Sequence, residues 1–219
     1  MLVGVISDVH ANRVALEAVL DDMPSVDAIV NAGDVVGYNP WPAECVAEMR
    51  EREIPTVQGN HDRMVVGSGN FRGNHMAAAG VEYAREQLTD GQRTWLAGLP
   101  TERTLFEGRL KVVHGHPDDP DHYTRPHEFG PRLLGDEDVL VMGHTHVQHH
   151  ESYDAGVVLN PGSVGQPRDD DPRAAYALVD LTDLSVEARR VEYDVETVVA
   201  AVRDAGLPER TGTRLREGY

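Results

Sequence analysis

Five apolar runs of strand length each end in a short polar motif, and that coupling limits the folds open to this chain. The motifs are Asp8-Val9-His10, Gly33-Asp34-Val35-Val36-Gly37, Gly59-Asn60-His61-Asp62, His114-Gly115-His116 and Gly143-His144-Thr145-His146. The runs before them are residues 2–7, Ala28-Ile29-Val30, Pro55-Thr56-Val57-Gln58, Leu110-Lys111-Val112-Val113 and Val139-Leu140-Val141-Met142. Short apolar runs bounded by turn signals read as buried strands. Between the first three lie helical patterns. Residues 13–22 place Val14, Leu16, Ala18, Val19 and Leu20 on an apolar side, with Asn12 as cap and Pro24 as stop; residues 42–52 start at Pro42. Strand, loop and helix in repetition predict an α/β fold with parallel strands.

Residues 63–100 change character. Residues 65–73 are Gly-rich loop, 75–88 and 91–99 read as helices, and Pro100 stops the second. This helical insertion is a candidate cap. Strands are expected at about 103–107, 110–114, 138–142, 149–153, 156–160, 174–180 and 185–193. Their tight spacing suggests a second, largely antiparallel sheet. A helix follows at 195–204, then a polar tail, 207–219. No repeat or linker divides residues 1–219, so one domain is expected.

Charge narrows the partners. The chain has 37 acidic and 20 basic residues, a net charge of −17, and Lys111 is its one lysine. Aromatics make up 5%. Such a surface suits a salt-loving (halophilic) cell, where ~1 M salt cuts the Debye length to about 3 Å. It is a poor match for long nucleic acid. No apolar stretch reaches membrane-spanning length, so no membrane partner is expected. The start lacks a basic leader, and the lone Cys45 forms no internal disulfide; the cytoplasm is the expected compartment.

The motifs pool Asp, His and Asn, enough to chelate two metal ions with one histidine and one aspartate to spare. Ligands collect at the carboxyl ends of parallel strands, where these motifs fall. Asp8 and His10 are two apart, as are His144 and His146, so in extended segments each pair points one way. Carboxylate and imidazole donors without thiolate suit two divalent ions drawn from Mn, Fe, Ni, Co or Zn.

The ordered set D-x-H, G-D-x-x-G, G-N-H-D, H-G and G-H-T-H resembles the calcineurin-like metallophosphoesterase superfamily over roughly residues 5–146. The run Asn160-Pro161-Gly162-Ser163-Val164-Gly165-Gln166-Pro167-Arg168 is similar to its small prokaryotic, diadenosine-tetraphosphatase-related and YfcE-type members. The resemblance implies a four-layer α/β sandwich, two facing mixed sheets flanked by helices. It implies that Asp8, His10 and His146 bind one metal, that Asn60, His114 and His144 bind the other, and that Asp34 bridges them. His61 would face substrate, with Asp62 orienting its imidazole. The implied reaction is hydrolysis of a phosphodiester or small nucleotide phosphoester by a metal-bridging hydroxide. Protonated His61 would donate to the leaving oxygen, or stabilise it by hydrogen bonding. Protein serine/threonine phosphatase activity is an alternative. So is a catalytically weak metal-binding scaffold, which the unsubstituted ligand positions argue against.

Four further residues are candidates for a small phosphoester substrate. Tyr38 and Asn39 either line the pocket or form its turn. His116 either touches substrate or belongs to its loop. Arg168 either clamps a second phosphate or pairs with the neighbouring aspartates. His75, His122, His127, His149 and His150 fall outside the motifs, and residues 118–121 read as a solvated acidic loop.

Overall fold

The computed structural model describes all 219 residues. Its elements run β1 (Leu2–Ile6), α1 (Arg13–Asp22), β2 (Ala28–Asn31), α2 (Pro42–Glu51), α3 (Asn60–Val66), α4 (His75–Gln87) and α5 (Asp90–Ala97). Then come β3 (Glu102–Leu105), β4 (Leu110–Val113), β5 (Val139–Val141), β6 (His149–Tyr153), β7 (Gly156–Asn160), β8 (Ala174–Asp180), β9 (Ser185–Val191), α6 (Val195–Asp204) and α7 (Glu209–Thr213). No helix is long and apolar enough to cross a membrane.

The strands form two mixed sheets, ordered β2-β1-β8-β9 and β3-β4-β5-β7-β6. In the first, β1 pairs parallel with β2 and antiparallel with β8. In the second, β4, β5 and β7 are parallel, and β3 and β6 flank them antiparallel. The expectation of one largely antiparallel second sheet is corrected on two counts. The β8–β9 hairpin joins the first sheet, and the inner strands of the second are parallel. The long 114–138 connection between β4 and β5 permits that: a parallel pair needs a crossover, which a tight turn cannot supply.

Alternation along the strands sorts the core into layers. Val3 and Val5 of β1 and Ala177 and Val179 of β8 face Val112, Val141 and Leu159 between the sheets. Ile6, Tyr176 and Leu178 point the other way, onto Leu16, Val19 and Met49 of the helical layer. The outer face of the second sheet, with Leu140 and Val158, is covered by Phe129, Leu133 and Leu134 beside two single-turn 310 helices, Pro126–Glu128 and Pro131–Leu133.

Local signals set several boundaries. Asn12 Oδ1 accepts from the Ala15 N–H at 3.1 Å, capping α1. Met23 is extended, as the residue before a proline prefers, and ends it. The strand expected at 55–58 shrinks to a single parallel bridge, Asn31 to Thr56. The third motif opens α3 instead, whose seven residues are too few to show a helical period. The tail packs back as α7 and a 310 turn, burying Thr211 and Leu215.

Candidate metal centre

Strand ends and loops bring Asp8, His10, Asp34, His114, His144 and His146 into two clusters, Asp8–His10–His146 and Asp34–His114–His144, linked by a third group, His10–Asp34–His61. All six are buried. Their backbone differs from the expected extended form. Asp8, His10, Asp34, His144 and His146 have φ of 52°, 47°, 55°, 67° and 60°. This left-handed region disfavours side chains bearing a Cβ, at a cost of order 1–3 kcal/mol each, and such strain gathers at functional sites. The i, i+2 ligands therefore converge because sharp left-handed turns aim them inward, and strand alternation plays no part.

The imidazoles are fixed from behind. His10 Nδ1 faces the Val36 carbonyl at 3.2 Å, His114 Nδ1 that of Ala32 at 2.8 Å, and His146 Nδ1 that of Gln166 at 2.6 Å. A carbonyl only accepts, so each Nδ1 carries the proton, and in a neutral ring Nε2 is left as a bare lone pair. His10 Nε2 and His146 Nε2 then face each other at 3.0 Å. Asp8 Oδ1 lies 3.2 Å from His146 Nε2 and is buried without a hydrogen-bond partner. Asp8 Oδ2 is occupied, accepting from Ser7 Oγ at 2.7 Å and the His144 N–H at 2.9 Å. Acceptors converging on one point repel unless an electrophile lies among them, so this donor set fits a divalent cation.

The second cluster is built alike. His114 Nε2 is 3.0 Å from Asn60 Oδ1 and 3.4 Å from Asp34 Oδ2. Asp34 Oδ2 is also 3.7 Å from His10 Nε2, so one oxygen stands between the clusters. His144 Nε2 faces the Asp121 carbonyl at 3.3 Å, which leaves its Nδ1 for the cluster.

Ionisation follows from burial and mutual charge. Burial would push the carboxyls of Asp8 and Asp34 up, but nearby imidazoles outweigh it and hold both well below the usual range. Burial pushes His10 and His146 down and holds His144 at about 4. His114 is the exception: against burial, Asp34 raises it to about 10. Ionised carboxylates with mostly neutral imidazoles are the state metal binding needs, and a cation would take the place of the His114 proton.

His61 and Asp62 differ from expectation. The His61 ring is gripped between Tyr38 and Phe71, with centroids at 4.7 and 4.5 Å. Its Nδ1 lies against Gly37, buried and unpartnered, so Nε2 is the nitrogen free to meet a ligand. Burial holds the ring at about 4, so it is neutral at pH 7 and favours the hydrogen-bonding role over that of a protonated donor. Asp62 makes no hydrogen bond to this imidazole, a correction to the orienting role. Its carboxylate accepts from the backbone N–H groups of Asp34, Gly59 and Val36 at 2.9, 3.0 and 3.2 Å. At the third position of α3 it reaches back over the helix start, tying the second motif to the third.

The other candidates divide. Tyr38 packs edge-on to His10 at 4.8 Å. Asn39 Nδ2 donates to the His10 carbonyl at 2.9 Å, a brace behind the site. His116 turns into its own loop, accepting from the Asp118 N–H. Arg168 makes no ion pair with the neighbouring aspartates; Asp169 pairs with Arg190 and Asp171 with Arg173. It donates to Gln166 Oε1 at 2.7 Å and Tyr38 Oη at 3.2 Å.

Two features escaped the sequence reading. Tyr123 stacks on His144 at 3.8 Å, and nothing in its acidic loop signals this. The run from Asn160 to Arg168 is more than a turn. Asn160 Nδ2 donates to the Gly143 carbonyl at 2.7 Å and Ser163 Oγ to the Asp8 carbonyl at 2.7 Å, lashing the first and fifth motifs together. A polar, Gly-rich run this close to a motif was the available signal.

A caged set of carboxylates and imidazoles on a two-sheet α/β sandwich defines the class, a metal-dependent hydrolytic enzyme. Comparison supplies the family. Residues 1–184 match the calcineurin-like phosphoesterase superfamily domain, and the chain belongs to that superfamily. It is a hydrolase of phosphoester bonds. An uncharacterized protein of Methanocaldococcus jannaschii is 31% identical over 236 aligned residues, covering 98% of this chain and 97% of its own. Phosphodiesterase YfcE of Escherichia coli is 29% identical over 83% of this chain and 89% of its own. The crystal structure of a metallophosphoesterase from Sphaerobacter thermophilus matches with a TM-score of 0.87 at 37% identity, covering 100% of this chain and 99% of that one.

Proposed function

We propose that this chain is a two-metal phosphodiesterase acting on small phosphodiesters or nucleotide phosphoesters. The observation that carries it is the facing pair of His10 and His146 lone pairs beside the orphaned Asp8 Oδ1. In this reading Asp8, His10 and His146 hold one ion, Asn60, His114 and His144 hold the other, and Asp34 serves both. When bound, two such ions supply an acidified water and neutralise charge on the phosphoryl oxygens. The protein's part is preorganisation: carbonyls lock the imidazole tautomers, and left-handed turns aim the carboxylates. His61, held in plane by Tyr38 and Phe71, offers one hydrogen bond to a phosphoryl or leaving oxygen. Asp62 acts through the backbone of Asp34 as a positioning residue. Ligand-type side chains at all seven metal positions speak against a scaffold without turnover.

The test is elemental analysis of protein equilibrated with Mn2+, paired with hydrolysis of bis(p-nitrophenyl) phosphate. Two ions per chain are expected, with turnover that Asp34→Asn abolishes. One ion or none, or turnover that survives Asp34→Asn, overturns the reading. Activity confined to phosphopeptides would favour a protein phosphatase.

A further inference from the structure

Aromatic side chains make up only 5% of this chain, yet one of them lies open on the metal centre. The Tyr123 ring stacks on that of His144, with centroids 3.8 Å apart and planes at 27°. Large apolar side chains are otherwise covered. Tyr123 is 45% exposed, a state it shares with Met1 and Tyr219 alone. One face of the ring is taken by the imidazole, and the side away from it meets water.

The loop fixes this placement. Tyr123 lies early in the 114–138 connection, whose first turns are cross-linked. His116 and Asp119 exchange backbone hydrogen bonds at 3.0 and 3.2 Å, and the His122 N–H donates to the Asp119 carbonyl at 3.1 Å. A Cβ on Gly115 would stand 2.5 Å from the Pro120 carbonyl oxygen and 2.8 Å from that of His122. Arg63 of α3 pairs with Asp121, and the Asp121 carbonyl meets His144 Nε2 at 3.3 Å. Thr124, the next residue, is buried. A ring held by such a loop has little freedom to lose when a ligand covers it, which lowers the cost of binding.

The stack serves either as a brace for His144 or as a platform for substrate. The Asp121 carbonyl already fixes the imidazole, and a brace has no use for an open outer side. An imidazole nitrogen presents its lone pair in the ring plane, so an ion on His144 Nδ1 sits beside the stack. An ester group of a phosphate on that ion meets Tyr123 once it rises past the imidazole edge. The chemistry of the occupant follows from charge. The loop carries Asp118, Asp119 and Asp121, which repel a further anion and leave an uncharged flat ring as the match. Every nucleobase has such a face.

We propose that Tyr123 is a stacking platform for a flat, uncharged aromatic ring of the substrate, such as a nucleobase supplies. The proposal rests on the phosphodiesterase reading and narrows its substrates to nucleotide or aryl esters, over those of alkyl alcohols or bare sugars.

The test is calorimetric binding to Mn2+-loaded protein of two ligand pairs that differ in the ring: adenosine 5′-monophosphate against ribose 5-phosphate, and phenyl phosphate against methyl phosphate. Stacking on an aromatic side chain should tighten the ringed member at least about fivefold. The ratio should fall toward one in Tyr123→Ala and hold in Tyr123→Phe, which keeps the ring. It should also fall in Tyr123→Leu, which keeps an apolar cover on His144 without a π face. A preference in both pairs marks a platform for any flat ring. A preference in the first pair alone marks one at nucleoside reach, and in the second alone one close to the phosphate. Ratios near one in both wild-type pairs overturn the platform. So does a Tyr123→Ala or Tyr123→Leu protein that weakens all four ligands alike, the mark of a brace, or that keeps the preference. A wild-type protein inert to bis(p-nitrophenyl) phosphate refutes the phosphodiesterase reading, and the binding ratios still decide the platform.

Discussion

Gly59→Ala is the sharpest test of how the motifs hold the centre. Gly59 has φ of −82°, open to any residue, so the alanine carries no backbone penalty. The penalty is steric: a Cβ there would lie 2.0 Å from Asp34 Oδ1, 2.4 Å from Asp34 N and 2.6 Å from Asp34 Cγ. Ordinary contact begins at 3.4 Å, so the Asp34 backbone nitrogen must move by roughly 1 Å, the gap between those values. Asp34 has little room to yield. Its N–H is held by Asp62 and its Oδ1 by the His61 N–H at 2.8 Å. Overpacking of this kind costs about 1–3 kcal/mol, or about 2–12 °C in Tm for a chain of this length. Metal ligation tolerates errors of only about 0.2 Å, so ion affinity should suffer far more than folding. The expected result is a metal-free protein that unfolds cooperatively and binds Mn2+ at least tenfold more weakly in calorimetric titration. Gly91→Ala is the control: its Cβ meets nothing within 4 Å, inside α5, and should gain roughly 0.5–1 kcal/mol. Wild-type Mn2+ affinity in Gly59→Ala would refute the claim that close approach at Gly59 sets the position of Asp34.

Other outcomes follow from the same geometry. His61→Ala should keep its metal content and lose turnover, most for substrates with poor leaving groups; an unchanged rate on those removes His61 from the reaction. Chelation should lower thermal stability by about 2.7 kcal/mol for each site held at a hundredfold excess over its Kd, and added Mn2+ should restore it, which thermal scans will show. Ser163→Ala deletes a buried hydroxyl that donates to the Asp8 carbonyl and accepts from the Gln166 N–H at 2.8 Å; denaturant unfolding should report a loss of about 1–3 kcal/mol. With a net charge of −17, the fold should strengthen as salt rises from about 0.1 M, and an intact circular dichroism spectrum and full activity in dilute buffer would count against that expectation.

Much of the fold was legible because its signals are local. Apolar runs of strand length became β1, β2, β4 and β5, and the caps and prolines bounded α1 and α2 within a residue or so. What was missed depends on partners far along the chain. Which sheet receives β8 and β9 is decided by pairing with β1, and no property of the hairpin reveals it. The α3 helix begins on the polar ligands themselves, so it has no apolar period to read. At the site, the residue types Asp, His and Asn were legible and the structure gathers them. The left-handed turns that do the gathering were not: Asp and His tolerate positive φ better than most residues, but only a minority adopt it, and nothing local marks Asp8 or His144 as among them. The bonding of Asp62 and Arg168 was likewise hidden, because each has several plausible partners within a few residues and its real ones lie elsewhere.

The chain's own pattern settled the element types, the superfamily resemblance and the pool of ligand side chains, because periodicity, capping and residue chemistry act over a few neighbours. Only the tertiary structure decided that the His10 and His146 lone pairs, 136 residues apart, point at each other. It alone put one Asp34 oxygen between two clusters. These are distances and directions between remote segments, set by sheet pairing and by the backbone bonds that lash the loops together.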